Sequence, residues 1–235
     1  MAALTRTSMA GRVGPLATTG RLHASSAALF VCDIQEKFRH LIYGMPSVID
    51  TTSKMVRGAR ALELPIFVTE QYPKALGHTV PELSQHLWTD PSTALTQHKG
   101  HAYEAIPKTM FSMYVDELDE QLEKENLSRK GGEKAKIGQV LLCGIETHVC
   151  IMQTATDLLE RGYEVHLVVD GVSSQRPGDR QVALQRLLQM GCFLCTSEMA
   201  LFQMCGSSKH PSFKQISAIA KEDRPEQLAM FTSHL

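Results

Sequence analysis

The sequence predicts an α/β protein built on one doubly wound, six-stranded parallel sheet with helices on both faces. Short apolar runs alternate along the chain with longer segments of helical periodicity, which is the pattern of βαβ units. The chain has 235 residues, of which 43% are apolar, and this is enough for one such domain. Because no internal repeat interrupts the pattern, we predict a single Rossmann-type domain of three layers.

Six segments are predicted to be strands, because each is short, mostly apolar and bounded by turn-forming or polar residues. In chain order they cover residues 27–32, 64–69, 103–106, 140–144, 163–169 and 192–196. The spacing of apolar residues predicts helices over residues 47–64, 81–87, 115–125, 148–159, 179–190, 198–205 and 211–221. Residues 128–134 are polar and are predicted to form a solvated surface loop.

The two ends of the chain are predicted to lie outside the domain. We predict that residues 1–26 form an extension, residues 27–222 the domain and residues 223–235 a tail. The extension contains Arg6, Arg12 and Arg21, and the first acidic residue of the chain is Asp33. This composition is typical of a mitochondrial transit peptide, so we predict mitochondrial targeting. The alternative is a basic, disordered extension without an address on a cytoplasmic protein.

Charge and hydropathy limit the classes of partner that the chain is expected to bind. The formal net charge is −1, and no basic stripe interleaved with aromatic residues is present. Nothing in this balance favours nucleic acid or an acidic membrane surface. No apolar run approaches the ~20 residues needed to span a bilayer. We therefore expect a soluble protein whose partner is a small molecule.

The six cysteines are scattered through apolar segments, as in proteins of a reduced compartment. They are Cys32, Cys143, Cys150, Cys192, Cys195 and Cys205. Cys192 and Cys195 form a C-x-x-C spacing, but they fall in a predicted strand. Because residues three apart on a strand point to opposite faces, we predict no redox or metal site there.

One stretch places a cysteine where a nucleophile would be activated. A predicted buried strand ends at Gly144 and leads with almost no linker into a helix, for which Thr147 can serve as N-cap. Cys150 then falls in the first helical turn. Unpaired backbone N–H groups and the positive helix end stabilise a thiolate at such a position and can also hold an oxyanion. We interpret Cys150 as a nucleophile.

Two further chargeable residues occur at or just beyond predicted strand ends, Asp33 and Lys108. In a parallel sheet the carboxyl ends of the strands meet at one edge, where ligands bind. A thiol needs a base to take its proton, and an ammonium group nearby favours the carboxylate and the thiolate. The spacing of the three residues does not by itself prove a site.

With these residues the sequence resembles the isochorismatase-like cysteine hydrolases, a family that includes nicotinamidase and N-carbamoylsarcosine amidase. The resemblance covers residues 27–220. It is carried by Val31-Cys32-Asp33-Ile34-Gln35, by Pro107-Lys108-Thr109, and most specifically by Gly144-Ile145-Glu146-Thr147-His148-Val149-Cys150.

The resemblance implies a role for each matching residue. Asp33 would be the general base, Lys108 the catalytic lysine and Cys150 the nucleophile. The backbone N–H groups of Glu146 and Cys150 would form the oxyanion hole, and Ile145–Glu146 would be a non-proline cis peptide. The family is usually oligomeric, so a homo-oligomer is expected. Beside the motifs lie candidate pocket residues, which could equally be ordinary core residues: Phe38, Gln71, Tyr72 and Phe111.

The sequence departs from the family in two places. Nicotinamidases carry an Asp-x-His…His metal site after the second strand, where this chain has Glu70-Gln71-Tyr72-Pro73-Lys74. Many members have Asp where this chain has His148. Four histidines crowd one region, at positions 78, 86, 98 and 101, but no cysteine or carboxylate accompanies them at ligand spacing. We therefore predict no metal and no cofactor.

The founding member of the family cleaves a vinyl ether without a cysteine nucleophile. The presence of Cys150 thus favours hydrolysis of a C–N bond in a small amide or carbamoyl compound through a thioester. The alternative is a non-catalytic binding or scaffold protein that retains the fold and a reactive thiol.

Overall fold

The computed structural model describes residues 19–88, 102–129, 132, 134–223 and 225. The strands are β1 (Ala27–Cys32), β2 (Ile66–Gln71), β3 (Ile106–Lys108), β4 (Gln139–Ile145), β5 (Glu164–Ser173) and β6 (Phe193–Cys195). The helices are α1 (Met45–Ala61), α2 (Pro73–Leu76), α3 (Pro81–Leu87), α4 (Asp116–Ser128), α5 (Met152–Glu160), α6 (Pro177–Gln189), α7 (Ser197–Cys205) and α8 (Phe213–Ala220). A 3-10 turn covers Glu36–Phe38 and a π-helical turn covers Thr147–Ile151.

The strands form one sheet in the order β3-β2-β1-β4-β5-β6, and each neighbouring pair is parallel. This confirms the predicted fold class. The chain winds outwards from β1 to β3 and then returns to place β4 on the other side of β1. The order of the strands therefore reverses between β1 and β4, and ligands of such sheets bind outside the carboxyl ends of the strands at this point.

The register between β1 and β4 brings two backbones close together at this reversal. Cys32, the last residue of β1, lies beside Gly144. Gly144 has a φ of 148°, and a Cβ atom at this position would lie 2.4 Å from the carbonyl oxygen of Cys32. A glycine is required here both by its φ and by the lack of space.

Side chains alternate across the sheet and fill two apolar layers. Leu29 and Val31 of β1 lie in the layer covered by α1, α3, α7 and α8. Phe30 and Cys32 lie in the other layer, covered by α4, α5 and α6. Cys32 and Cys150 belong to the same layer, so their side chains share one face of the sheet.

The predicted strands exist, but five of the six have bounds that differ from the prediction, and the differences are largest in β2, β3 and β5. β2 continues to Gln71 and β3 is shifted towards Lys108. β5 runs through Asp170 to Ser173, although the prediction ended this strand at the aspartate. The carboxylate of Asp170 is buried, and it accepts hydrogen bonds from the backbone N–H and hydroxyl of Ser197, at 2.8 and 2.6 Å. These partners allow a charged residue to remain inside the strand.

The prediction of a solvated loop over residues 128–134 is wrong at its start. Ser128 belongs to α4, and the side chain of Arg129 is buried. The Arg129 guanidinium donates to Glu125 Oε1 at 2.8 Å and to the carbonyl oxygens of Ser25 and Ala135. A buried guanidinium is tolerated because these acceptors replace water.

The end of the predicted extension also packs against the domain. Leu22 is 2% exposed and belongs to the core, and its backbone N–H donates to Gln203 Oε1. The Gln139 side chain bonds the backbone of Arg21 and His23. The folded unit therefore begins before residue 27, because these backbone groups find partners on the domain surface.

The two cysteines of the C-x-x-C spacing point to opposite faces of the sheet, as predicted. Cys192 lies in the layer that contains Cys32, and Cys195 lies in the other layer. Their separation across the sheet excludes a contact between the two thiols. None of the described helices combines the length and the apolar character that a membrane crossing requires.

Candidate active site

Three chain segments bring Asp33, Lys108 and Cys150 to the carboxyl edge of the sheet. Asp33 follows β1 directly and has a φ of 57°, which a short polar residue tolerates better than most. Lys108 is the last residue of β3. Cys150 lies in the π-helical turn after β4, and such turns are frequent at functional sites.

Asp33 and Lys108 form a buried ion pair. Lys108 Nζ lies 2.7 Å from Asp33 Oδ2, and each side chain is 1% exposed. The other carboxylate oxygen, Oδ1, accepts a hydrogen bond of 2.7 Å from the hydroxyl of Thr69. The carboxylate is therefore held in one orientation by partners on both of its oxygens.

The ammonium group of Lys108 has more acceptors than it has N–H bonds. Besides Asp33, Nζ lies 2.7 Å from Gln71 Oε1 and 3.1 Å from the carbonyl oxygens of Met110 and Phe111. Burial alone would lower the pKa of Lys108, but the carboxylate of Asp33 beside it outweighs burial and raises the pKa. An ammonium group with three donors and four acceptors stays charged and has no N–H bond to spare.

Cys150 is connected to Lys108 by an electrostatic interaction and by hydrogen bonds of the surrounding backbone. Its residue is 6% exposed, and its thiol lies close enough to Lys108 to interact electrostatically with it. The Cys150 carbonyl oxygen accepts from Thr154 Oγ1 at 2.7 Å, and this hydroxyl accepts from the backbone N–H of Met113 at 2.8 Å. The segment after β3 is thereby bonded both to Lys108 and to the first turn of α5.

The structure adds Cys32, which the sequence analysis treated only as part of a motif. The Cys32 thiol donates to Asp33 Oδ2 over 3.4 Å, and it lies close enough to Cys150 to interact with it electrostatically. Burial is the main cause that raises the pKa of the Cys32 thiol. The only sequence signal for this contact is that Cys32 ends a strand just before the motif aspartate.

The candidate pocket residues divide into three kinds of position. Gln71 contacts the site directly, because its Oε1 accepts from Lys108 while its Nε2 donates to the carbonyl oxygen of Thr109 at 2.9 Å. Tyr72 and Phe111 are about half exposed beside it. Phe38 is partly buried and packs on the apolar layer that contains Val31. A pocket role for these four residues stays a prediction.

Two predictions about the turn that carries Cys150 are wrong. The Ile145–Glu146 peptide is trans, since no cis peptide occurs among the described residues; the turn is made instead by Glu146, with φ 55° and ψ 61°. Thr147 does not cap the helix, because its buried hydroxyl has no hydrogen-bond partner. Glu146 occupies the cap position. The assignment of the oxyanion hole to the backbone of Glu146 and Cys150 stays a prediction.

His148 connects the nucleophile turn to the chain that follows β5. Its Nδ1 lies 3.0 Å from Ser174 Oγ and 3.3 Å from Glu146 Oε2, and its Nε2 lies 3.9 Å from Asp179 Oδ2. This residue therefore ties the turn that carries Cys150 to the loop after β5.

No cluster of three or more His, Cys, Asp or Glu side chains is arranged for a metal ion in the part of the chain that the structure describes. Glu70, at the place of the nicotinamidase metal ligands, accepts from the backbone and hydroxyl of Thr79 and contacts His78. These contacts give its carboxylate a structural role. His98 and His101 lie outside the described residues.

A cavity of about 880 Å³ lies at the opposite edge of the sheet, before the starts of β4 and β5. Tyr114, Arg161 and Tyr163 are among the residues that line it, and none of the three candidate catalytic side chains does. Open parallel α/β sheets bind their ligands outside the carboxyl ends of the strands. We therefore place the candidate active site at the carboxyl edge and not in this cavity.

Comparison with known proteins defines the class. Residues 27–199 match the family model described as Isochorismatase domain. This match covers most of the chain, and the sheet order and the motifs at the carboxyl edge agree with it. The chain belongs to the isochorismatase family and has its hydrolase fold.

Individual relatives are similar over nearly the whole chain. Isochorismatase domain-containing protein 2 of Xenopus laevis is 41% identical over 207 residues, which cover 88% of this chain and 89% of the relative. The human protein of the same name is 42% identical with the same coverage. Among solved structures, the MAR1 ribonuclease from Caenorhabditis elegans has a TM-score of 0.76 at 38% identity and covers 92% of this chain and 100% of its own.

Proposed function

We propose that this chain is a cysteine hydrolase that cleaves a C–N bond of a small amide or carbamoyl compound through a thioester on Cys150. The observation that carries the proposal is the buried ion pair of Asp33 and Lys108 at the carboxyl edge, with the Cys150 thiol near enough to interact electrostatically with Lys108. Each residue alone could be structural, but together they supply a nucleophile, a base and a compensating charge.

In the proposed course, Asp33 takes the thiol proton and the Cys150 sulfur attacks the carbonyl carbon. The backbone N–H groups of Glu146 and Cys150 hold the oxyanion of the tetrahedral intermediate. Asp33 returns the proton to the departing nitrogen, so that ammonia or an amine leaves and a thioester remains. Asp33 then activates a water molecule, which hydrolyses the thioester and restores the thiol.

Lys108 supports this course without touching the substrate. Its three N–H bonds are already shared among Asp33, Gln71 and two backbone carbonyl groups. We therefore assign it to holding Asp33 in place and supplying the positive charge that compensates the carboxylate and the developing thiolate.

The test is release of ammonia from a panel of small primary amides and carbamoyl compounds by the full-length protein. We expect turnover of at least one compound, loss of that turnover in Cys150→Ser, and retention in Cys143→Ala, which removes a thiol from the opposite face of the sheet. A covalent acyl adduct on Cys150, trapped by rapid acid quenching and located by mass spectrometry, would identify the thioester. Turnover that persists in Cys150→Ser would refute the mechanism.

Two alternatives are separated by the same panel. A scaffold protein predicts no turnover of any compound by the native chain. A ribonuclease activity is named for the relative from Caenorhabditis elegans, and RNA therefore belongs in the panel. The net charge of −1 and the nearly closed site, with Asp33 and Cys150 only 1% and 6% exposed, favour a small substrate over a polyanion.

We further propose that the chain forms homo-oligomers and that its N-terminus directs it to mitochondria. Exposed Leu41, Tyr43, Tyr72 and Met110 at the carboxyl edge support self-association, because such apolar groups are commonly covered by a partner. Light scattering of the purified protein tests the first proposal. Fusion of residues 1–26 to a fluorescent protein tests the second, and a diffuse cytoplasmic signal would contradict it.

A further inference from the structure

Thr154 is a buried polar residue of α5 that the proposed hydrolytic mechanism does not use. Its side chain is fully buried, and its hydroxyl makes two hydrogen bonds. The hydroxyl donates to the carbonyl oxygen of Cys150 over 2.7 Å and accepts from the backbone N–H of Met113 at 2.8 Å. Since a hydroxyl has one hydrogen, this hydrogen is committed to Cys150, and the bond from Met113 uses a lone pair.

The first of these bonds is ordinary in a helix, whereas the second is not. A threonine hydroxyl often bonds the carbonyl oxygen four residues earlier, and Thr156 does so with Met152 at 2.8 Å. Thr154 adds a partner from a segment that lies 41 positions away in the chain. Among the described residues, no other hydrogen bond joins residues 109–113 to α5 or to the π-helical turn before it.

Residues 109–113 are also the segment that surrounds the ammonium group of Lys108. The carbonyl oxygens of Met110 and Phe111 each accept from Lys108 Nζ at 3.1 Å. The side chains of Met110 and Phe111 are 63% and 51% exposed, so they do not anchor this segment in the core. Thr154 therefore bonds both the segment around the ammonium group and the backbone of the candidate nucleophile.

We propose that Thr154 is a positioning residue that keeps the Cys150 thiol next to the Lys108 ammonium group. Without the hydroxyl, the buried N–H of Met113 has no partner, so the segment must shift to find another acceptor. The thiol then loses its fixed separation from the positive charge that favours its thiolate. An effect on turnover rests on the proposed function, whereas the placement of the thiol beside the ammonium group does not.

The experiment compares three variants of the full-length protein. Thr154→Val deletes both hydrogen bonds at nearly constant volume, and Thr154→Ser keeps the hydroxyl. Thr156→Val is the matched control, because it deletes only the ordinary bond within the same helix. Circular dichroism checks that each variant is folded. Thr154→Ala, which removes the hydroxyl without placing a methyl group against Met113, takes the place of the valine variant if that variant does not fold.

The first measurement is the rate at which iodoacetamide alkylates Cys150, located by mass spectrometry. Because the thiolate is the reacting form, the rate is measured at about pH 7 and about pH 9, on either side of the ordinary thiol value of about 8.5. A change in access alters both rates equally and cancels in their ratio. We expect the ratio of the rate at high pH to the rate at low pH to rise several-fold in Thr154→Val. It should stay at the native value in Thr154→Ser and in Thr156→Val.

The second measurement is turnover of the amide that the panel identifies. For Thr154→Val, kcat should fall roughly 10- to 100-fold at nearly unchanged KM, because a displacement of about 1 Å can cost about 100-fold. Thr154→Ser should recover most of the native kcat, and Thr156→Val should retain it.

The assignment would be overturned by an unchanged alkylation ratio in Thr154→Val, by an equal rise in Thr156→Val, or by a serine variant as impaired as the valine variant. The first measurement needs no substrate, so it separates this inference from the proposed function. Amide turnover by the native chain together with an unchanged ratio would sink the inference and leave the proposed function standing. The expected rise of the ratio in a chain that hydrolyses no amide would do the reverse.

Discussion

Lys108 Nζ donates to Asp33 Oδ2 over 2.7 Å, and both side chains are withdrawn from water to 1% exposure. The two residues come from opposite sides of β2, since Asp33 follows β1 and Lys108 ends β3. β2 fills the space between them with Thr69 and Gln71, which bond the carboxylate and the ammonium group respectively. The ion pair is therefore buried within the edge of the sheet and held by side chains of β2, unlike a salt bridge on the surface.

Removing one partner of this pair should destabilise the protein strongly. Asp33→Asn and Lys108→Met each leave one uncompensated buried charge, which costs about 3–5 kcal/mol of unfolding free energy. The double variant should cost less than the sum of the single changes, because neither charge remains. Urea denaturation followed by circular dichroism measures this, with Glu36→Gln as control: its exposed pair with Arg39 should contribute about 0–1 kcal/mol. Additive losses would show that the two groups are not coupled.

Gln71 distinguishes a positioning role from a pocket role. Gln71→Ala deletes one of the two acceptors that lie 2.7 Å from Lys108 Nζ, so the ammonium group must turn towards the carbonyl oxygens at 3.1 Å and kcat for amide hydrolysis should fall. Gln71→Glu keeps an acceptor oxygen and should retain more activity. Gln85→Ala, on the exposed surface of α3, is the control. A rise in KM at unchanged kcat would instead mean that Gln71 contacts the substrate.

The positions of Asp33, Lys108 and Cys150 could be predicted from the sequence because strand ends are local features. Apolar runs stop at these residues or shortly before them, and parallel strands bring such ends to one edge. The close approach of Cys32 to Gly144 could not be predicted, because it depends on the register between β1 and β4. Register is fixed by pairing across the whole sheet and leaves no mark in either segment alone.

Strand bounds show the same limit. The apolar pattern predicts that the fifth strand ends at Asp170, because a carboxylate interrupts the apolar run. The strand continues because Ser197, which is 27 positions further along the chain, supplies two hydrogen bonds to that carboxylate. A pattern read from neighbouring residues cannot include a partner so far along the chain. Such a pattern therefore predicts too short a strand wherever a buried polar residue is hydrogen-bonded by a distant one.

Gly144→Ala should damage the sheet at the candidate site. The new Cβ atom would meet the Cys32 carbonyl oxygen at 2.4 Å, at a φ of 148° that side chains rarely adopt. Overpacking of this kind costs about 1–3 kcal/mol, and the backbone strain adds to it. Gly138→Ala is the matched control, because nothing lies within 4 Å of a Cβ atom there. Thermal unfolding should show a clearly lower Tm for the first variant and little change for the second; equal values would contradict the assigned close approach.

His166 should make stability depend on pH. The ring is 1% exposed, stacks on Phe193 and bonds Glu164 Oε1 at 2.8 Å, and burial lowers its pKa below the ordinary value of 6.5. Between the unfolded pKa and the lower folded pKa, the unfolded chain binds more protons. Stability from this residue is therefore fully present above about 6.5 and is lost as the pH falls through this window.

We expect the unfolding free energy of His166→Gln to fall less steeply than that of the native chain between about pH 7 and pH 5. His40→Gln removes an exposed histidine and should follow the native curve. Urea titrations at each pH supply the free energies, and the difference between curves cancels the carboxylates that all three proteins share. Parallel curves for His166→Gln and the native chain would mean that the buried ring takes up its proton as readily as the unfolded chain does.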